Sequence, residues 1–303
     1  MLSLRQMFHS RYVNNYTFSI ACAVLLLCLW SIEHNIPKIL WYKLGPNGMN
    51  DDTRAWTSTC ITNNPEYRVE FMTDETADEY VQRTFSSSRP DIVESYLNIS
   101  IPILKADLLR YLLLWDQGGV WSDLDVSCEA DNYIDEWIPL EHRDKAGLVV
   151  GWEFDMGYDR PILRQFASWT IMARPRSPHM LQIIDDIVHA LEEKVEEHHV
   201  PLQNLTLAMT GDVVDFTGPR RMTFGIYKSL GKILNRPVGQ EEIQELLQPK
   251  MIGDVLVLPG RSFAASCNTY KPEEEELLPR QLITHHYAGS WKNDKGGESK
   301  QAH

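Results

Sequence analysis

The sequence predicts an α/β fold, a sheet assembled from βαβ units with helices packed on it. Three observations carry that prediction. Residues 36–41 (IPKILW) and 67–71 (YRVEF) read as strands with room for a helix between them, the spacing of a βαβ unit. Leu108, Leu109, Leu112 and Leu113 repeat at helical spacing and run through Gly118-Gly119 into Val120-Trp121, so a helix feeds a strand across a glycine turn. Residues 147–152 (GLVVGW) form a short apolar run of the kind that lies buried in such a sheet.

Taken from the amino end, residues 17–32 (TFSIACAVLLLCLWSI) carry no charge, follow Arg5 and Arg11, and precede Glu33. As a helix they span about 24 Å, short for a bilayer core, with Tyr12, Tyr16 and Trp30 placed to extend them into the interfaces. Leu29-Trp30-Ser31 is a poor small-x-small cleavage site, so the stretch is expected to stay as an anchor. The basic flank puts residues 1–16 in the cytosol and residues 33–303 in the lumen. The sequons at Asn98 and Asn204 fit a lumenal body. Cys60, Cys128 and Cys267 permit one disulfide, with the pair left open.

Beyond the first strand, Asn63-Asn64-Pro65 makes a turn, the second strand ends at Thr73-Asp74, and a polar helix covers residues 77–85. A loop at Ser86–Pro90 follows, and Ile101-Pro102 opens the segment leading to the leucine helix. Past that helix, Asp123 and Asp125 stand one residue apart and, in an extended chain, point the same way. Like charges so placed repel unless a cation or donors sit between them. The loop lacks the glycine and distal glutamate of an EF-hand, so a hard divalent cation shared with a diphosphate is the better reading. Asp107 and Arg110 share one helix face, with a plain i, i+3 ion pair as the alternative to a functional role. Glu153 and Asp155 follow the GLVVGW strand, where either a cleft position or a capping role fits. Residues 178–195 form an amphipathic helix with Met180, Ile184, Ile187, Val188 and Leu191 inward.

The net charge is −13, from 29 basic and 42 acidic residues, with no basic stripe; nucleic acid is therefore not an expected partner. Glu192, Glu193, Glu196 and Glu197, and the run at residues 273–276, read as solvated faces. With 43% hydrophobic residues the chain has ample core.

The pattern AD-x-x-RY…GG-x-[aromatic]-x-D-x-D, together with His285-His286-Tyr287-Ala288-Gly289-Ser290-Trp291-Lys292, resembles glycosyltransferase family 32. Arg164-Gln165-Phe166 and Trp169-Thr170 resemble its initiation-specific α-1,6-mannosyltransferase branch, and Thr217-Gly218-Pro219 is similar to a loop bordering the acceptor side. Arg220 and Arg221 depart from that branch. The resemblance implies a GT-A type α/β/α sandwich and a metal-dependent retaining hexosyltransferase, moving mannose from GDP-mannose to an N-glycan core or other mannoside. It further implies a Golgi membrane protein, single-pass type II, with a transferase complex as a further partner. Another nucleotide-sugar, a lipid acceptor, or simple sugar-nucleotide hydrolysis are the alternatives. In the implied site Asp123, Asp125 and His286 hold Mn²⁺ or Mg²⁺, with His285 the rival ligand. Asp107 and Arg110 serve the donor sugar and phosphate, and Gly289 and Lys292 the diphosphate.

Overall fold

The computed structural model describes residues 35–158 and 162–298. The expected anchor at 17–32 and the tail before it lie outside the described residues. Among the described residues no helix is long and apolar enough to cross a membrane.

The first strand, β1 (Ile39–Lys43), starts three residues later than its sequence pattern suggests. It leads through α1 (Asp51–Asn63) to β2 (Arg68–Met72), and the two strands pair in parallel from Ile39↔Arg68 to Lys43↔Met72. Asn50 caps α1 through its side chain and Thr73 caps α2 (Asp74–Phe85) in a capping box, so both helices begin where short polar side chains can satisfy the free N–H groups. The loop at Ser86–Pro90 is followed by a further helix, α3 (Pro90–Asn98), and then by the central helix α4 (Pro102–Asp116). Both begin with proline in the first turn, where its missing N–H and fixed φ cost nothing.

Gly118 (φ +68°) and Gly119 (φ +103°) both take positive φ between α4 and β3 (Gly119–Ser122). A Cβ on Gly119 would stand 2.7 Å from the Ile39 carbonyl oxygen, so only glycine lets β3 lie against β1. The Trp41 indole seals this turn by donating to the Gly118 carbonyl at 2.9 Å. Next come β4 (Val126–Cys128), β5 (Leu148–Phe154), β6 (Gln165–Phe166), β7 (Thr170–Ala173) and α5 (Pro178–His198). The chain closes with α6 (Pro219–Leu234), β8 (Lys250–Ile252), β9 (Val255–Leu258), α7 (Gly260–Ala264) and β10 (Ile283–His285).

The main sheet has the order β2-β1-β3-β7-β5-β9-β8, with β6 on β5. β3 and β5 each pair antiparallel to β7, so they run the same way as each other. Parallel pairs β1–β2, β1–β3 and β5–β9 bring five strands into one direction. Their carboxyl ends therefore open on a single edge, where ligands gather in open α/β sheets.

Alternation along the strands divides the core into two layers. Ile39 and Trp41 face the cluster that contains α2 to α6, including the predicted Met180, Ile184, Ile187, Val188 and Leu191 of α5. Leu40 and Tyr42 face the opposite cluster, with Cys60 of α1 and Phe263 of α7. The sheet is thus covered on both faces, as an α/β/α sandwich requires. A disulfide joins Cys60 to Cys128 and ties α1 to β4, leaving Cys267 free.

Replacing Gly119 by alanine forces a side chain into the β1 backbone at a φ that L-residues avoid. The G119A variant is expected to lose about 3 kcal/mol of stability, read as a lower urea midpoint with unchanged slope.

Candidate active site

The site grows from the buried face of α4. Asp107 and Arg110 lie one turn apart, and an Arg110 nitrogen meets Asp107 Oδ1 at 2.9 Å with both side chains at most 5% exposed. Arg110 reaches on to Asp123 Oδ1 at 3.2 Å, while the Trp121 indole N–H donates to the same oxygen at 2.7 Å. The guanidinium lies over the Trp121 ring, 5.2 Å from its centroid. Behind this row, Thr217 Oγ1 donates to Asp107 Oδ2 at 2.7 Å. Burial pushes the Asp107 carboxyl above its ordinary range, and the Arg110 charge works against that shift. Burial opposes the charge on Arg110 too, yet the carboxylates of Asp123 and Asp107 outweigh it and hold the guanidinium ionised.

Asp107 and Arg110 were expected to meet the donor directly. The structure buries both, 3% and 4% exposed, with Arg110 ion-paired to Asp107 and Asp123. Thr217 is fully buried and locked to Asp107, whereas Arg220 turns outward to Asp215 and Arg221 to the Phe216 carbonyl.

The two aspartates do not share a strand face. β3 ends at Ser122, and the Val126 N–H returns to the Asp123 carbonyl at 3.2 Å, closing a turn. The turn aims the carboxylates at different partners. Asp125 is wrapped by the tail: His285 Nε2 lies 3.3 Å from its Oδ1. The Ala288 N–H donates to Oδ2 at 3.0 Å, and the His286 N–H donates to the Asp125 carbonyl at 2.8 Å. Burial works against ionisation of Asp125, but the His285 hydrogen bond and charge, with the Ala288 N–H, hold its carboxyl below the usual range.

His286, the expected imidazole ligand, and His285, its rival, make different contacts. His286 Nε2 is 2.8 Å from Ser127 Oγ, and its ring stacks on Trp56 at 4.3 Å between centroids. His285 is the histidine that reaches Asp125. The cause is the β10–β4 register: His285 pairs with Val126, beside Asp125, and the chain turns away after it. Trp169 stacks on His285 at 4.1 Å, which fixes the ring. His285 Nδ1 is buried without a hydrogen-bond partner.

Among the described residues no three His, Cys, Asp or Glu side chains stand close enough to cage a cation. The donors that do converge are the Asp125 carboxylate and the His285 imidazole. That set fits a hard divalent ion taking its remaining oxygens from a diphosphate. Gly289 (φ +63°) turns the tail beyond Asp125, and the exposed Lys292 follows, its ammonium 5.8 Å from the Trp291 ring centre.

Glu153 and Asp155 part company. Asp155 accepts from Arg164 at 3.0 Å and from the Glu245 and Leu246 N–H groups, and is structural. Glu153 points to the cleft, with Gln165 Nε2 donating to its Oε2 at 2.7 Å. Burial raises its carboxyl above the ordinary range, and Gln165 and the charges of His285 and Lys292 pull it back. Trp121, Trp169 and Thr217 complete the site; each lies within one of the sequence motifs above, and the contact each makes depends on the fold.

Removing the Arg110 guanidinium leaves Asp107 buried without its counter-charge. Arg110→Ala is expected to cost about 3–5 kcal/mol, with part recovered in the Asp107→Asn/Arg110→Ala double variant, both measured by urea unfolding.

Comparison with known proteins completes the picture. Residues 50–144 match the model for the glycosyltransferase sugar-binding region containing DXD motif. The chain is 31% identical to the initiation-specific alpha-1,6-mannosyltransferase of Schizosaccharomyces pombe, over 86% of this chain and 65% of that protein. It is 30% identical to the Candida albicans protein of the same name, over 88% of this chain and 74% of that one. A shorter match, 31% identity over 94 residues, links it to a mannosyl phosphorylinositol ceramide synthase of Saccharomyces cerevisiae, covering 31% of this chain and 24% of that protein. The chain thus spans about two thirds of the length of the first two relatives.

Proposed function

The chain belongs to glycosyltransferase family 32, and on that premise we propose that it transfers mannose from GDP-mannose to a glycan acceptor, with retention and with a divalent cation. The observation that carries the reading is the grip on Asp125 by a segment 163 residues further along the chain. A chain that kept the fold alone would have no use for a carboxylate and an imidazole so brought together. The names of the two relatives that match over most of the chain support mannose as the sugar.

The chemistry follows from what the leaving group needs. As the glycosidic bond opens, negative charge develops on the diphosphate and must be met by groups already in place. Asp125 and His285 would hold the cation, which would supply Lewis-acid neutralisation of that charge. Lys292 adds an exposed ammonium, a good point-charge partner for phosphate. Gly289 keeps the backbone low where the diphosphate approaches. Arg110 and Trp121 hold the Asp123 carboxylate in one orientation, so no reorganisation is asked of it during reaction. On the same reading, residues 17–32 anchor the chain in the Golgi membrane with the described residues in the lumen. The Cys60–Cys128 disulfide supports an oxidising compartment.

A donor screen tests this. Purified chain, Mn²⁺ and a panel of nucleotide-sugars should give the strongest nucleoside diphosphate release with GDP-mannose, abolished by chelator. Turnover indifferent to divalent cations would overturn the metal reading. Asp125→Asn should lower kcat/KM by about 100-fold or more. His285→Ala should raise the Mn²⁺ concentration needed for half-maximal activity by about tenfold, and by more than His286→Ala does.

A further inference from the structure

Beyond the cation donors, the cleft continues along a row of contacts that none of the site residues above explains. The Tyr287 ring lies 4.0 Å from the His285 ring, and the Tyr287 hydroxyl is 2.9 Å from Cys267 Sγ. The Cys267 carbonyl accepts from the Tyr158 hydroxyl at 2.6 Å. Tyr158 stands edge-on to Phe154, the residue after Glu153. Asn268 binds the two segments together: its Nδ2 donates to the Glu153 carbonyl, and its Oδ1 accepts from the Asp155 and Met156 N–H groups.

Two features mark this row as more than packing. Tyr158 and Tyr287 are 39% and 40% exposed although each hydroxyl is tied down, so their ring faces are presented to solvent in fixed orientations. Tyr287 also has φ +51°, a conformation uncommon for an aromatic residue and of a kind that clusters at ligand sites. Glu153, the residue before Phe154, is 8% exposed, with Oε2 taken by Gln165. Among the described residues no hydrogen bond engages its other oxygen. That oxygen keeps its full capacity to accept a hydrogen bond.

We propose that Tyr158, Tyr287 and Glu153 form the subsite for the acceptor sugar, the rings stacking on its apolar C–H face and the carboxyl receiving one of its hydroxyls. The inference rests on the transferase reading above and names where that transferase holds its second substrate. The position suits it, because the row starts at His285, against Asp125 on the donor side, and runs away from it along the carboxyl end of β5. The charge suits it as well. A carboxyl there favours a neutral polyol and disfavours a phosphorylated acceptor, which would meet Glu153 with like charge.

The test measures product formation and nucleoside diphosphate release in one reaction of the full chain with GDP-mannose, Mn²⁺ and an α-mannoside. The ratio of transfer to hydrolysis does not depend on how much of a variant is folded. Tyr158→Ala is expected to lower that ratio by about tenfold and to raise the acceptor KM. Tyr158→Phe, which keeps the ring, should stay near the parent value, and Glu153→Gln should lower the ratio as Tyr158→Ala does. An active chain whose ratio stays within about twofold in both Tyr158→Ala and Glu153→Gln overturns the subsite alone. A parent chain that releases no nucleoside diphosphate from any sugar nucleotide overturns the transferase reading and the subsite with it.

Discussion

A single buried guanidinium sets the geometry of this protein's cleft. Arg110 has a carboxylate on either side, Asp107 from its own helix and Asp123 from the turn beyond β3. Buried charges are costly unless they satisfy one another. Here they are stacked on Trp121 and backed by Thr217, so the helix, the strand end and the loop before α6 are held in one register. An i, i+3 pair on an exposed helix is worth a few tenths of a kcal/mol. Buried, the same pair becomes a fixed point, since shifting any one of the three elements would strand a charge.

The second constraint comes from the sheet. Five strands run in one direction, and the groups with chemistry sit where they end: Asp123 after β3, Glu153 at the end of β5, and Cys267 and Asn268 beyond β9. β7, inserted antiparallel between β3 and β5, spaces those ends apart without contributing to the same edge. The cleft is thus a consequence of topology, and the side chains in it are local additions.

Much of this was legible in the sequence because the signals were local. The leucine repeat, the glycine pair and the apolar run over residues 147–152 each depend on neighbours a few positions away, and each lies where its period placed it. The cluster around Asp125 is different in kind. Whether His285 or His286 reaches that carboxylate is decided by the pairing of β10 with β4, and a one-residue change of register would exchange their roles. The spacing within the tail motif contains no information about that register. The D-x-D pair failed as an alternating strand for a related reason: the chain leaves β3 at Ser122 and turns, which an isolated Asp-Leu-Asp does not reveal. Glu153 and Asp155 were equivalent by sequence, and only the side chains facing each, Gln165 for one and Arg164 for the other, separate a cleft carboxyl from a structural one.

The weakest-built part of the site is also the part that completes it. Asp107 and Arg110 are embedded in the core and hold the half-buried Asp123, whereas His285 arrives on a three-residue strand that, among the described residues, pairs with β4 alone. β4 is short as well, and it is tied down by the Cys60–Cys128 disulfide and by Thr59, whose hydroxyl accepts from the Cys128 N–H at 2.8 Å. The disulfide therefore fixes more than α1. It steadies the strand on which the tail lies, and through Trp56 it backs the ring of His286. Ordering a chain segment costs roughly 1–2 kcal/mol per residue, more than three ladder positions return on their own. The grip on Asp125 by His285 and the Ala288 N–H offsets that cost only if β4 is already rigid. Core, disulfide, β4 and tail thus depend on one another in that sequence, and the imidazole meets the carboxylate only when all four are in place.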